Sequence, residues 1–136
     1  MSRLQQTFAR LREDHSAGLV TYITAGDPDL ERTGGILRAL DRAGADVLEV
    51  GVPFSDPLAD GPVIQRATER ALAAGTTLSG VLDLLHSIRN DIAAPLVIFS
   101  YANPVLRLGA EVFADRARDA GVDGVLILDL PIEEAG

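Results

Sequence analysis

The stretch "DVLEVGVPFSDPLADGPVIQRA", Asp46 to Ala67, decides the fold. From Val47 to Val52 it is apolar except at Glu49, the composition of a strand buried on both faces. Its last part is alanine-rich and opens at Gly61-Pro62, a helix start. Between them a loop carries Asp56 and Asp60, with Pro53, Pro57 and Pro62 restricting its backbone. A carboxylate inside a buried strand is costly unless it is paired or used.

The same alternation extends in both directions. Upstream, Leu4, Phe8 and Leu11 predict a short opening helix, and "GLVTYITAG" predicts a first strand closed by Gly26. "DPDLERTGGILRALDRAG" follows as a helix, with Asp27 as its cap, Pro28 in its first turn, and Ile36, Leu37, Leu40 and Ala43 as its buried stripe. Downstream, "PVIQRATERALAAG" and "TLSGVLDLLHSIRND" are helices, the second striped by Leu78, Val81, Leu82, Leu85 and Ile88. "PLVIFSY" is a third strand. "GAEVFADRARDAG" is a helix with Ala110, Phe113, Ala114 and Ala117 on one face, and "GVLILDLP" is a fourth strand. "RAGADVLEV" resembles "DAGVDGVLIL", so one helix–turn–strand unit is used at least twice. Buried strands alternating with helices give a parallel α/β sheet in a single domain, residues 1–136. The chain ends shortly after the fourth strand, which leaves an open four-stranded sheet or the first half of an eight-stranded β/α barrel.

Composition narrows the function. Twelve basic against 20 acidic residues give a net charge of −8 with no basic cluster, which argues against a nucleic-acid surface. Without cysteine there are neither disulfides nor cysteine metal sites. No run approaches the roughly 20 apolar residues of a membrane span, and the N-terminus has no apolar signal core, so a cytoplasmic protein is the expectation. His15 and His86 are read as exposed.

Side chains alternate along strands. With Glu49 facing inward, the same register gathers Tyr22 and Thr24, Phe99 and Tyr101, then Ile127 and Asp129, with Phe54 on the loop above. Such a face suits a planar aromatic ligand. Each residue also has a plainer role. Glu49 could be satisfied by a neighbouring donor, and Asp60 could cap the helix opening at Pro62. Asp56 could be a turn residue, Asp129 could bond backbone at a strand end, and the aromatic residues could be core.

"LEVGVPFSDPLADGPVIQRA" closely resembles the signature of the tryptophan synthase alpha chain family, and "YITAGDP", "AGAD", "YANPV" and "GVDGVLILDLP" match it in order. The resemblance covers essentially the whole chain. It implies the first half, about four βα units, of a TIM (β/α)8 barrel, truncated after the fourth strand. It implies a carbon–carbon lyase of tryptophan biosynthesis, which cleaves indole-3-glycerol phosphate to indole and glyceraldehyde 3-phosphate. No metal and no cofactor of its own are implied; pyridoxal phosphate belongs to the beta chain, the partner in an alpha2-beta2 complex. By motif position the catalytic carboxylates fall on Glu49, as acid–base, and Asp60. Tyr22 (where the family often has Phe), Phe99, Tyr101 and Asp129 fall around the substrate. The family's phosphate site would lie in the later barrel half. Two other readings are a half-barrel that only binds a beta chain or another copy of itself, and a phosphotransfer enzyme using Asp56 and Asp60 as Mg²⁺ ligands.

Overall fold

The computed structural model describes residues 1–56 and 58–134; Pro57, one of the loop's three prolines, and the final Ala135 and Gly136 lie outside the described residues. Four parallel strands stand in sequence order: β1 (Val20–Thr24), β2 (Val47–Gly51), β3 (Leu96–Ser100) and β4 (Gly124–Ile127). Helix α1 (Arg3–Glu13) precedes β1, and α2 (Leu30–Arg42) links β1 to β2. The β2–β3 connection holds α3 (Pro62–Ala73) and α4 (Leu78–Ile88), continued by a 3-10 turn at Arg89–Asp91. Between β3 and β4 lie α5 (Ala102–Leu108) and α6 (Ala110–Asp119), and a 3-10 turn at Ile132–Glu134 follows β4.

The core lies between the sheet and its helices. Leu48, Val50, Leu96 and Ile98 meet Leu37, Val81, Leu82, Leu85 and Phe113, all buried. The α4 stripe is as expected, with all five predicted residues buried. Helix α2 differs. Its cap is Asp29, whose side chain accepts from Arg32 N, so the helix starts later than an Asp27 cap would place it. Its buried face is Thr33, Gly34 and Leu37, whereas Ile36 and Ala43 are exposed. The reason is close helix packing: a Cβ at Gly34 would stand 3.2 Å from Leu84 Cδ1, so α2 turns its smallest residue toward α4. On α6, Phe113 and Ala117 are buried, but Ala110 and Ala114 are exposed. Helix α5 has no forecast in the sequence periodicity; Pro104 is tolerated because it sits in the first turn, where no intrahelical N–H bond is lost.

The repeated "AGAD" and "AGVD" turns have a shared job. Asp46 accepts from Leu19 N at 2.8 Å, and Asp123 accepts from Leu96 N at 3.0 Å, so each clasps the strand preceding its own. Helix α1 is tied to both clasps, through Arg10–Asp46 (3.0 Å) and Arg3–Asp123 (3.6 Å), at the N-terminal end of the sheet. His15 and His86 are both exposed.

Candidate active site

The strand register decides which side chains share the inner face. Tyr22 pairs with Glu49, Glu49 with Val97, and Gly51 with both Thr24 and Phe99, so Tyr22, Glu49 and Phe99 lie on one side. The Tyr22 ring packs edge-on against Phe99, centroids 5.4 Å apart at 79°. It also lies across Gly51: a Cβ there would fall 2.0 Å from the Tyr22 hydroxyl. The reading of the sequence missed this requirement, although a glycine inside an otherwise bulky strand signals a close approach.

On β4 the expected face is wrong by one residue. Phe99 pairs with Leu126 and Ser100 with Ile127, so Leu126 faces inward and Ile127 faces the helices. A slip of one residue inverts a strand's two faces, and strand-to-strand stagger is set by packing that a single strand does not encode. Asp129 follows the end of β4, where its carboxylate accepts from Ala102 N at 2.7 Å and caps the entry to α5. The backbone role is therefore the one observed for Asp129, and Leu126 replaces Ile127 on the inner face.

Glu49 is half-buried, and among the described residues no hydrogen-bond donor or cation pairs with its carboxylate. The plainer role, satisfaction by a neighbour, has no partner to support it. Asp60 does not cap α3. The cap position is Gly61, with no side-chain bond, and Pro62 opens the helix. The loop instead holds Asp60 by its flanks: Gln65 Nε2 donates to Asp60 O at 2.8 Å, and Ala59 N donates to the Tyr101 hydroxyl at 2.9 Å. Phe54 packs on the Tyr101 ring at 5.3 Å. Burial pushes the Asp60 carboxyl up from its ordinary range, partly offset by the Tyr101 hydroxyl. Burial also raises Tyr22, with the charges of Asp60 and Glu49 acting in the same direction, so both carboxylates lie within electrostatic reach of that ring. Asp56 is exposed, as a turn residue would be. Among the described residues no three His, Asp or Glu side chains are placed to hold a metal ion, so Asp56 and Asp60 gain no support as Mg²⁺ ligands.

Helix α3, carrying the loop's far end, is anchored to the β1–α2 turn. Arg70 grips Asp27 with two bonds, 2.8 and 3.0 Å, and this holds the Asp27 carboxyl below the usual range. A cavity of about 310 Å³ lies beside the loop, lined by Phe54, Asp56, Leu58 and Glu69 among others, but not by Glu49 or Tyr22.

The family model described as tryptophan synthase alpha chain matches residues 8–136. The chain belongs to the tryptophan synthase alpha chain family. It is 57% identical to the tryptophan synthase alpha chain of Burkholderia mallei (strain NCTC 10229), over 99% of this chain and 50% of that protein. It is likewise 57% identical to that of Burkholderia cenocepacia, over 100% of this chain and 51% of the relative. Among solved structures, tryptophan synthase subunit alpha from Legionella pneumophila str. Paris superposes with a TM-score of 0.96 at 45% identity, covering 99% of this chain and 52% of that one. The aminoacrylate-bound form of tryptophan synthase from M. tuberculosis gives 0.93 at 39% identity, over 99% and 55%. The chain thus spans about half the length of the tryptophan synthase alpha chains it matches, and its sheet and helices are those of half a TIM barrel. That family is one of lyases of tryptophan biosynthesis. No single helix among the described residues is long and apolar enough to cross a membrane.

Proposed function

We propose that this chain supplies the acid–base half of an indole-3-glycerol phosphate lyase, with Glu49 and Asp60 as its catalytic carboxylates. The observation that carries the reading is Glu49, fixed on an apolar strand face beside the Tyr22–Phe99 ring pair, its carboxylate without a partner among the described residues. Cleavage needs a proton delivered to the indole carbon bearing the glycerol phosphate chain, and a proton taken from the adjacent hydroxyl. The carbon–carbon bond then breaks, its electrons return to the ring, and the hydroxyl carbon becomes the aldehyde of glyceraldehyde 3-phosphate. Glu49, on a rigid strand, is suited to exchange those protons. Asp60, as a carboxylate facing the ring N–H, would stabilise the positive charge that develops there. Tyr22 and Phe99 would hold the flat ring by edge and face contacts, with Leu126 extending the apolar wall.

The chemistry asks for no cofactor from this chain. The indole would pass to a beta chain carrying pyridoxal phosphate, in an alpha2-beta2 assembly in the cytoplasm. The relatives from M. tuberculosis, solved as tryptophan synthase, support such a partner. We take residues 1–136 to act as one unit, completed by the other barrel half. The test is turnover in a complete chain carrying this segment: indole and glyceraldehyde 3-phosphate should appear in equal amounts. A chain that folds and binds a beta chain, yet releases no indole, would favour the binding-only reading instead.

A further inference from the structure

Tyr101 is only 4% exposed, and both of its functional parts are already engaged. Its ring is covered by Phe54 at 5.3 Å, and its hydroxyl accepts from Ala59 N at 2.9 Å. Little of it is left for a substrate to touch. The backbone it holds belongs to the residue immediately before Asp60, and the residue it packs on opens the same loop. We propose that Tyr101, at the junction of β3 and α5, is a positioning residue, a latch that holds the β2–α3 loop at Phe54 and Ala59 and thereby fixes the Asp60 carboxylate over the sheet's C-terminal edge.

The geometry supports a latch with two functions in one hydroxyl. A phenol can accept one bond while donating its own proton. Ala59 N occupies an acceptor site, which leaves the hydroxyl its own proton to donate, and Tyr101 partly offsets the rise that burial imposes on the Asp60 carboxyl. Tyr101 itself sits at the foot of α5 as its cap residue, braced by the neighbouring Ala102 N–Asp129 bond. Burial raises the Tyr101 hydroxyl, and the charges of Asp60, Asp129 and Asp56 act in the same direction. Gln65 provides the second pin, on the carbonyl of Asp60, but only from the loop's own helix. Tyr101 therefore ties the loop, at Ala59 and Phe54, to the junction that follows β3. This inference rests on reading Asp60 as the charged group that faces the substrate.

The experiment is Tyr101→Phe in the full 136-residue chain, which keeps the ring on Phe54 and deletes only the hydroxyl. Two readouts need no turnover: amide hydrogen exchange, and the titration of Asp60 followed through ¹³C-labelled aspartate carboxyls, assigned with Asp60→Asn. The Ala59 amide should exchange about 3- to 10-fold faster, the scale of one lost net hydrogen bond, while amides of 47–51 and 96–100 keep their protection. The Asp60 midpoint should move up, because the ionised form loses a donor. Unchanged exchange at Ala59, equal loss of protection across β2 and β3, or an unmoved Asp60 midpoint would each overturn the latch. If Asp60 has no catalytic part, these readouts still shift while its substitution leaves turnover intact, so the two failures are distinguishable.

Discussion

Aspartates show how one residue type is sorted by its surroundings. Asp29 caps α2, Asp46 and Asp123 clasp neighbouring strands, Asp129 caps α5, and Asp27 takes Arg70. Asp60 does none of these, since the α3 cap is Gly61. Replacing it should therefore cost no capping energy: Asp60→Asn and Asp60→Ala should both melt within about 0.5 kcal/mol of the parent, and both should lose most turnover in a complete chain. A difference of about 1 kcal/mol between the two, with turnover kept in Asp60→Asn, would restore the capping role. The two shifted carboxyls also predict opposite pH behaviour. Asp60 is raised, so its charged form is disfavoured in the fold, and any stability from its neutral form is lost as pH rises through its folded pKa. Because its proposed role needs the charge, turnover should climb with pH across a midpoint above the ordinary carboxylate range. Asp27 is lowered by Arg70, so that link persists on acidification until pH falls below that range. A turnover profile flat through the carboxylate region would contradict the charged role of Asp60.

At the scale of elements, Gly51 and Asp123 are the positions where one atom group governs an arrangement. Gly51→Ala places a methyl 2.0 Å from the Tyr22 hydroxyl and 2.6 Å from its ring carbon. The ring must leave Phe99, and the cost should be about 1–3 kcal/mol, the usual range for overpacking. A fall in denaturation midpoint together with loss of the Tyr22–Phe99 contact checks this; an unchanged midpoint would show that the ring is free to move. Asp123→Ala leaves Leu96 N and the largely buried Arg89 guanidinium without their carboxylate, 3.0 and 3.7 Å away. A loss of about 1–3 kcal/mol is expected for the abandoned donors, measurable in the same denaturant titration. Most of this framework was legible beforehand. Strand and helix periods differ, so Val47–Gly51 and the Leu78–Ile88 stripe could be read directly. What could not be read depends on partners in space. The sequence points to Asp27 as the α2 cap, but it is taken by Arg70, and Asp29 accepts from Arg32 N instead. The β4 face depends on stagger against β3, which put Leu126 where Ile127 was expected. Tyr22 and Phe99 came out on the face assigned to them, while Tyr101 came out tied to the loop.

For the whole molecule, the sheet has β1 and β4 at its margins, and its inner face leaves Val20 46% and Leu126 46% exposed. Unpaired strand edges beside apolar surface promote pairing with another chain. The isolated 136 residues should therefore sediment as a dimer or larger species at micromolar concentration; a single boundary at monomer mass across that range would contradict this. The same edges should accept the complementary half of a barrel. The most direct measurement mixes this chain with the remaining half of its 57% identical relative and follows indole release from indole-3-glycerol phosphate. The mixture should release indole where neither half alone does, and release should slow at least about 100-fold when this chain carries Glu49→Gln. Equal release with and without Glu49, in a mixture shown to assemble, would contradict this.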